Sequence, residues 1–113
     1  MKNKTLFMML FKYQPDAVKL SAEEEATVAN AWGQFIGNIA LKEKLVSTYQ
    51  LGQHKQLVGH QTKSSTPTSK EIIGGNMVIK ANSMEEACAL AQKSPILQMG
   101  GYVEIKTIIP MQD

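Results

Sequence analysis

Residues 72–86 read Ile-Ile-Gly-Gly-Asn-Met-Val-Ile-Lys-Ala-Asn-Ser-Met-Glu-Glu, and this stretch decides the fold. From Ile72 to Asn82 it has the character of a strand, with Met77, Ile79 and Ala81 alternating with Asn76, Val78 and Lys80. Successive side chains of a strand point to opposite faces, so the apolar set faces a core and the mixed set faces away. Ser83 then stands three residues before Glu86, the capping-box spacing that pairs backbone N–H groups left over in a helix's first turn. A helix is predicted from there to about Lys93. The pair Gly74-Gly75 is not a phosphate loop, because no Gly-x-Gly-x-x-Gly or Walker spacing follows and a strand comes next. It reads as a bulge or a close backbone approach.

The flanks extend the pattern. Downstream, Ser94-Pro95 ends the helix, Gly100-Gly101 frees the chain, and a last strand is predicted from Tyr102 to Ile109, closed by Pro110. Here Val103, Ile105, Thr107 and Ile109 alternate with Tyr102, Glu104, Lys106 and Ile108. Upstream, Leu45 to Leu51 has strand character, and Gly52 and Gly59 bracket a polar segment before Thr62 to Ser69, read as a mobile loop. Ser21 and Glu24 form another capping box, with Glu23, Glu24 and Glu25 where the helix dipole favours acids. Val28, Trp32, Phe35, Ile36 and Ile39 then recur at helical spacing, carrying a long helix to about Leu41. Thr5 to Phe11 is a continuous apolar run of strand length that ends at Lys12 and the turn-forming Gln14-Pro15-Asp16.

The order is β-α-β-β-α-β, an α+β, ferredoxin-like arrangement with two helices on one face of a four-stranded antiparallel sheet. The other face is open. It would leave Val78, Tyr102, Ile108 and one side of the first strand partly wet, and a partner sheet would cover them.

At 113 residues the chain has room for one domain, residues 1–113. The net charge of +2 is too small to build the field that non-specific nucleic-acid binding needs, and no arginine is present to grip phosphates or guanine edges. No nucleic-acid partner is expected. The lysine-flanked run Leu6 to Phe11 with Ala29-Asn30-Ala31 does not make a signal peptide, because Lys12, Asp16, Lys19 and Glu23 to Glu25 intervene. No stretch approaches the roughly 20 apolar residues of a membrane span. A single cysteine, Cys88, excludes an internal disulfide and fits a reducing compartment, so a cytoplasmic location is expected.

The segments Lys70-Glu71, Gly74-Gly75, Ser83-Met84-Glu85-Glu86-Ala87, Ala91, Ser94-Pro95, Gly100-Gly101 and Val103-Glu104-Ile105-Lys106 together resemble the YCII-related family. They are most similar to its branch with an Asp-Gly-Pro-Phe signature. The likeness covers residues 70 to 107, and the N-terminal half agrees in outline. The signature tetrapeptide would fall on Ser65-Thr66-Pro67-Thr68, and the branch's closing Arg-Pro is replaced by Lys106-Thr107. A His-Asp pair proposed for another branch does not carry over, since no histidine precedes His54. The resemblance implies the ferredoxin-like fold and pairing of two sheets into a dimeric α/β barrel, hence a homodimer.

Candidate site residues follow from strand parity. Glu104 and Lys106 lie two apart on one strand, with Tyr102 beside them and Lys80 on the same predicted face of another. A carboxylate among ammonium groups could hold a polar ligand or act as a base, against the plainer reading of an ion pair at an interface. His54 is a second candidate base, and His54 with His60 is short of a metal site. No metal and no cofactor are expected. Cys88, at helical spacing from Met84, Ala87 and Ala91, reads as a small buried residue. Trp32 and Phe35 read as core, with a hydrophobic pocket as the sharper alternative. The functional expectation is a homodimeric module that binds a small ligand or a partner, because no complete set of nucleophile, base and orienting group can be assembled. The alternative is a small cofactor-free enzyme of lyase, isomerase or mono-oxygenase type, with Glu104 or His54 as base and Lys106 holding an anionic substrate.

Overall fold

The computed structural model describes residues 5–14, 20–52, 54–56, 58–59 and 71–111. Strand β1 (Thr5–Tyr13) leads to helix α1 (Ala22–Leu41), then β2 (Leu45–Gln50), β3 (Ile72–Ala81), helix α2 (Met84–Ala91), a 3-10 turn (Pro95–Met99) and β4 (Tyr102–Thr107). The sheet order is β2-β3-β1-β4, and all three pairings are antiparallel. The most apolar strand, β1, is therefore central, with its backbone paired on both sides. This is the expected α+β, ferredoxin-like order.

Alternation along each strand sorts the faces as expected, but Val78, expected to be partly wet on the open face, is buried at 9% exposure. Phe7, Met9 and Phe11 of β1 and Met77, Ile79 and Ala81 of β3 are buried on the helix side, together with Phe35 and Ile39 of α1 and Ala87, Leu90 and Ala91 of α2. Val103 and Ile105 of β4 pack against this core. Met9, Met77 and Ile79 are its largest fully buried side chains, each contributing about 1.5–3 kcal/mol through surface removed from water.

Local chemistry sets the element ends. Ser21 caps α1 in a complete box, its Oγ accepting from the Glu24 N–H at 3.2 Å while Glu24 Oε1 accepts from the Ser21 N–H at 3.0 Å. The second box is only half formed. Ser83 Oγ accepts from the Glu86 N–H, but the Glu86 carboxylate turns to the Asn82 N–H at 2.8 Å and to Lys44 Nζ at 3.2 Å. Helix α2 stops at Ala91, short of Lys93, and Ser94-Pro95 opens the 3-10 turn, which periodicity did not reveal in so short a segment. β4 ends at Thr107 instead of Ile109, and Ile109 is exposed.

The expectation for Cys88 is corrected: it is exposed. The buried stripe of α2 is Ala87, Leu90 and Ala91, which turns Cys88 and Met84 toward solvent. At Gly74-Gly75 the expectation holds. The β1–β3 register slips between Phe11, opposite Gly75, and Lys12, opposite Ile73, leaving Gly74 as the bulged residue. A Cβ on Gly75 would lie 2.7 Å from the Tyr49 carbonyl oxygen, so only glycine lets β2 come this close. The expected turn at Pro15-Asp16, the loop at 62–69 with Ser65-Thr66-Pro67-Thr68, and His60 lie outside the described residues.

Candidate functional site

Register places the charged candidates on the open face. Across β1, Lys12, Leu10 and Met8 stand opposite Tyr102, Glu104 and Lys106 of β4. On the other side Leu10, Met8 and Leu6 stand opposite Asn76, Val78 and Lys80 of β3. Tyr102, Glu104, Lys106 and Lys80 therefore share one face, but Lys80 sits beside Leu6, at the other end of β1 and across it from Glu104. It does not join the cluster.

Two residues the sequence reading missed do join it. Lys12 Nζ donates a hydrogen bond to Glu104 Oε1 and lies 3.9 Å from Glu71 Oε1. The Tyr102 hydroxyl donates to Glu71 Oε2, and Lys106 Nζ is 4.0 Å from Glu104 Oε2. The parity of β1 put Lys12 on the face of Leu10, but which residue of β4 it would meet depends on register. Glu71 lies just outside a strand, where alternation says nothing.

The network shifts the titration of Glu104, Lys12 and Tyr102. The hydrogen bond and charge of Lys12 hold the Glu104 carboxyl below its ordinary value, and Glu104 in turn holds the Lys12 ammonium above its own. The hydrogen bond to Glu71 raises the Tyr102 phenol. A general base working near neutrality needs a pKa raised toward 7, and Glu104 is shifted the other way. The stability that this pair adds is present above the ordinary carboxylate pKa and is lost as the pH falls through the lowered one. Lys12→Met should move the Glu104 carboxyl midpoint upward in a carbon-detected NMR titration. An unchanged midpoint would mean that Lys12 does not hold Glu104 in solution.

His54 lies exposed in irregular chain between β2 and β3 and forms no part of this cluster. Among the described residues no group of three or more His, Cys, Asp or Glu is placed to hold a metal ion. No helix among them is long and apolar enough to cross a membrane.

On the other face, between α1 and the sheet, lies an open groove of about 590 Å³. Its walls include Phe11, Tyr13, Val28, Trp32, Ile36 and Met99. Trp32 meets Phe11 edge to face at 5.0 Å between ring centroids and 81° between planes, and Phe35 at 5.9 Å and 78°. Such contacts hold the indole in one orientation. The sequence reading put both aromatics of α1 in the core. Phe35 is there, at 6% exposure, whereas Trp32 is only half-buried and forms a groove wall.

The groove has a local cause. Residues Ala22 to Thr27, at the start of α1, are all exposed, so this end of the helix stands clear of the sheet. The opposite wall includes Gly74 and Gly75, which bring no side chains to fill the gap. The volume is within the range of small-molecule sites, about 300–1,000 Å³.

The sequence model of the YCII-related domain matches residues 5–112, so the chain belongs to the YCII-related family. No curated protein matches the chain.

Proposed function

We propose that this YCII-related domain is a homodimeric binding module, holding a small, largely apolar ligand in the groove between α1 and the sheet. The observation that carries this reading is the groove itself, a concavity of about 590 Å³ walled by Phe11, Tyr13 and Trp32. Burying an aromatic ligand there removes apolar surface from water on both sides, at about 25 cal/mol per Å². The paired state of Glu104 favours binding over the cofactor-free chemistry that would need it as a base. Dimerisation is supported by the open sheet face, where Leu6, Met8 and Leu10 are only half-buried, and by the barrel pairing that the family resemblance implies.

Trp32 is the sole tryptophan and reports on the groove directly. Titration with 4-phenylbutanol, which does not absorb where indole is excited, should change its fluorescence saturably. Ala29→Phe puts a ring into the groove from an exposed helix position, so the fold should survive while binding weakens about tenfold or more. No response from Trp32 in the natural protein, or an equal response in the variant, would refute the groove as the binding site.

A further inference from the structure

We infer that the groove selects a ligand with a cationic amine attached to its apolar or aromatic body, and that Glu25 is the counter-ion. This rests on the reading of the groove as a ligand site and specifies the ligand's chemistry. Among the described lining residues Glu25 carries the only charge; the polar remainder is Thr48, Gln50 and the two tyrosines. The Glu25 carboxylate has no ion-pair partner among the described residues, unlike Glu71, Glu86 and Glu104.

The surroundings disfavour the opposite charge. A helix start commonly attracts phosphate or carboxylate through free N–H groups. Here the capping box takes two of them, the Glu24 N–H by Ser21 Oγ at 3.2 Å and the Ser21 N–H by Glu24 Oε1 at 3.0 Å. Glu23, Glu24 and Glu25 then load the same turn with negative charge. Glu24 stays ionised, because its bonds from the Ser21 N–H and hydroxyl lower its pKa. An anion entering here would meet the Glu25 carboxylate and no lysine among the described lining residues. A cation meets Glu25 in a groove that is also lined by the indole of Trp32, the side chain with the strongest attraction for ammonium groups.

Three probes of one shape test this: 4-phenylbutylammonium, 4-phenylbutanol and 4-phenylbutyrate, titrated by Trp32 fluorescence and calorimetry. The ammonium should bind roughly three- to tenfold more tightly than the alcohol, and the alcohol more tightly than the carboxylate. Glu25→Gln, at an exposed position, should bring the ammonium to the alcohol's affinity and leave the alcohol unchanged. Raised salt should narrow the preference in the same direction. If the alcohol binds but the ammonium binds no better, or if the preference survives Glu25→Gln, the cation inference is overturned while the groove stands. If no probe binds, both fall.

Discussion

Gly101→Ala should lower the domain's stability by ~2–3 kcal/mol, the upper part of the range for overpacking a filled site. Gly101 lies where the chain leaves the 3-10 turn for β4, just after Gly100, whose φ of 79° forms the turn's left-handed C-cap. Its N–H donates to the Ile96 carbonyl at 2.9 Å, fixing it against the turn. A Cβ there would lie 2.3 Å from the Lys12 carbonyl oxygen and 2.8 Å from Ile96 Cγ1. The first contact is with backbone of the central strand and cannot be relieved by rotating a side chain. Either β4 shifts away from β1 or Ile96 leaves the core, and both give up buried surface. Against a total stability of about 5–15 kcal/mol the loss is large. Gly33→Ala is the matched control: a Cβ at Gly33 meets nothing within 4 Å, and replacing glycine inside a helix should stabilise by up to ~1 kcal/mol. Urea unfolding should move the two midpoints in opposite directions. Equal midpoints for Gly101→Ala and the natural protein would mean that β4 does not approach β1 as closely as described.

Met8→Lys should convert the proposed dimer to a monomer. Met8 is half-buried on the open face of the central strand, between Val78 of β3 and Lys106 of β4. In a dimer that covers this face the substitution enters twice, since a two-fold interface uses the same patch on both copies. Each new ammonium would be desolvated beside Lys106, with no acid facing it across the strand pair. An uncompensated buried charge costs about 3–5 kcal/mol, enough to weaken association by about ten-thousandfold or more when doubled. In the separated chain the cost is small, because the face is then wet and a like-charge pair across strands costs about 0.2–1 kcal/mol. Light scattering should give twice the 12.5 kDa chain mass for the natural protein and the single mass for the variant, with unchanged circular dichroism. A natural protein that is monomeric, or a variant that stays dimeric, contradicts dimerisation through this face.

The elements were legible wherever the chain spells out its own hydrogen bonds or periodicity. Ser21 with Glu24 marked the start of α1 to the residue, and alternation in β3 and β4 assigned both faces. What depends on how elements dock was not legible. The partnership of Lys12 with Glu104 needs the register of β1 on β4, which no local pattern encodes. The groove needs the distance between the start of α1 and the sheet, whereas the stripe from Val28 to Ile39 tells only which side of the helix turns inward. Cys88 was misplaced because α2 has eight residues, six of them apolar or small, and the stripe through Met84, Cys88 and Ala91 is as apolar as the one that is buried.

The groove and the charge network occupy opposite faces of one sheet, and in the proposed function they divide the work. The network on the open face is internally neutral, Lys12 and Lys106 against Glu71 and Glu104, and so can be covered by a second copy without stranding a charge. Among the described residues Glu25 is the one carboxylate that lines the groove and it has no ion-pair partner there, which is a state that a ligand can relieve and a partner sheet on the far side cannot.

The most direct test of ligand binding in the groove is a crystal structure of the protein soaked with 4-phenylbutylammonium. Ligand density between Trp32, Phe11 and Met99, with the amine directed at Glu25, is the predicted result. A structure in which the start of α1 closes onto the sheet, burying Trp32 and leaving no space for the probe, would contradict it.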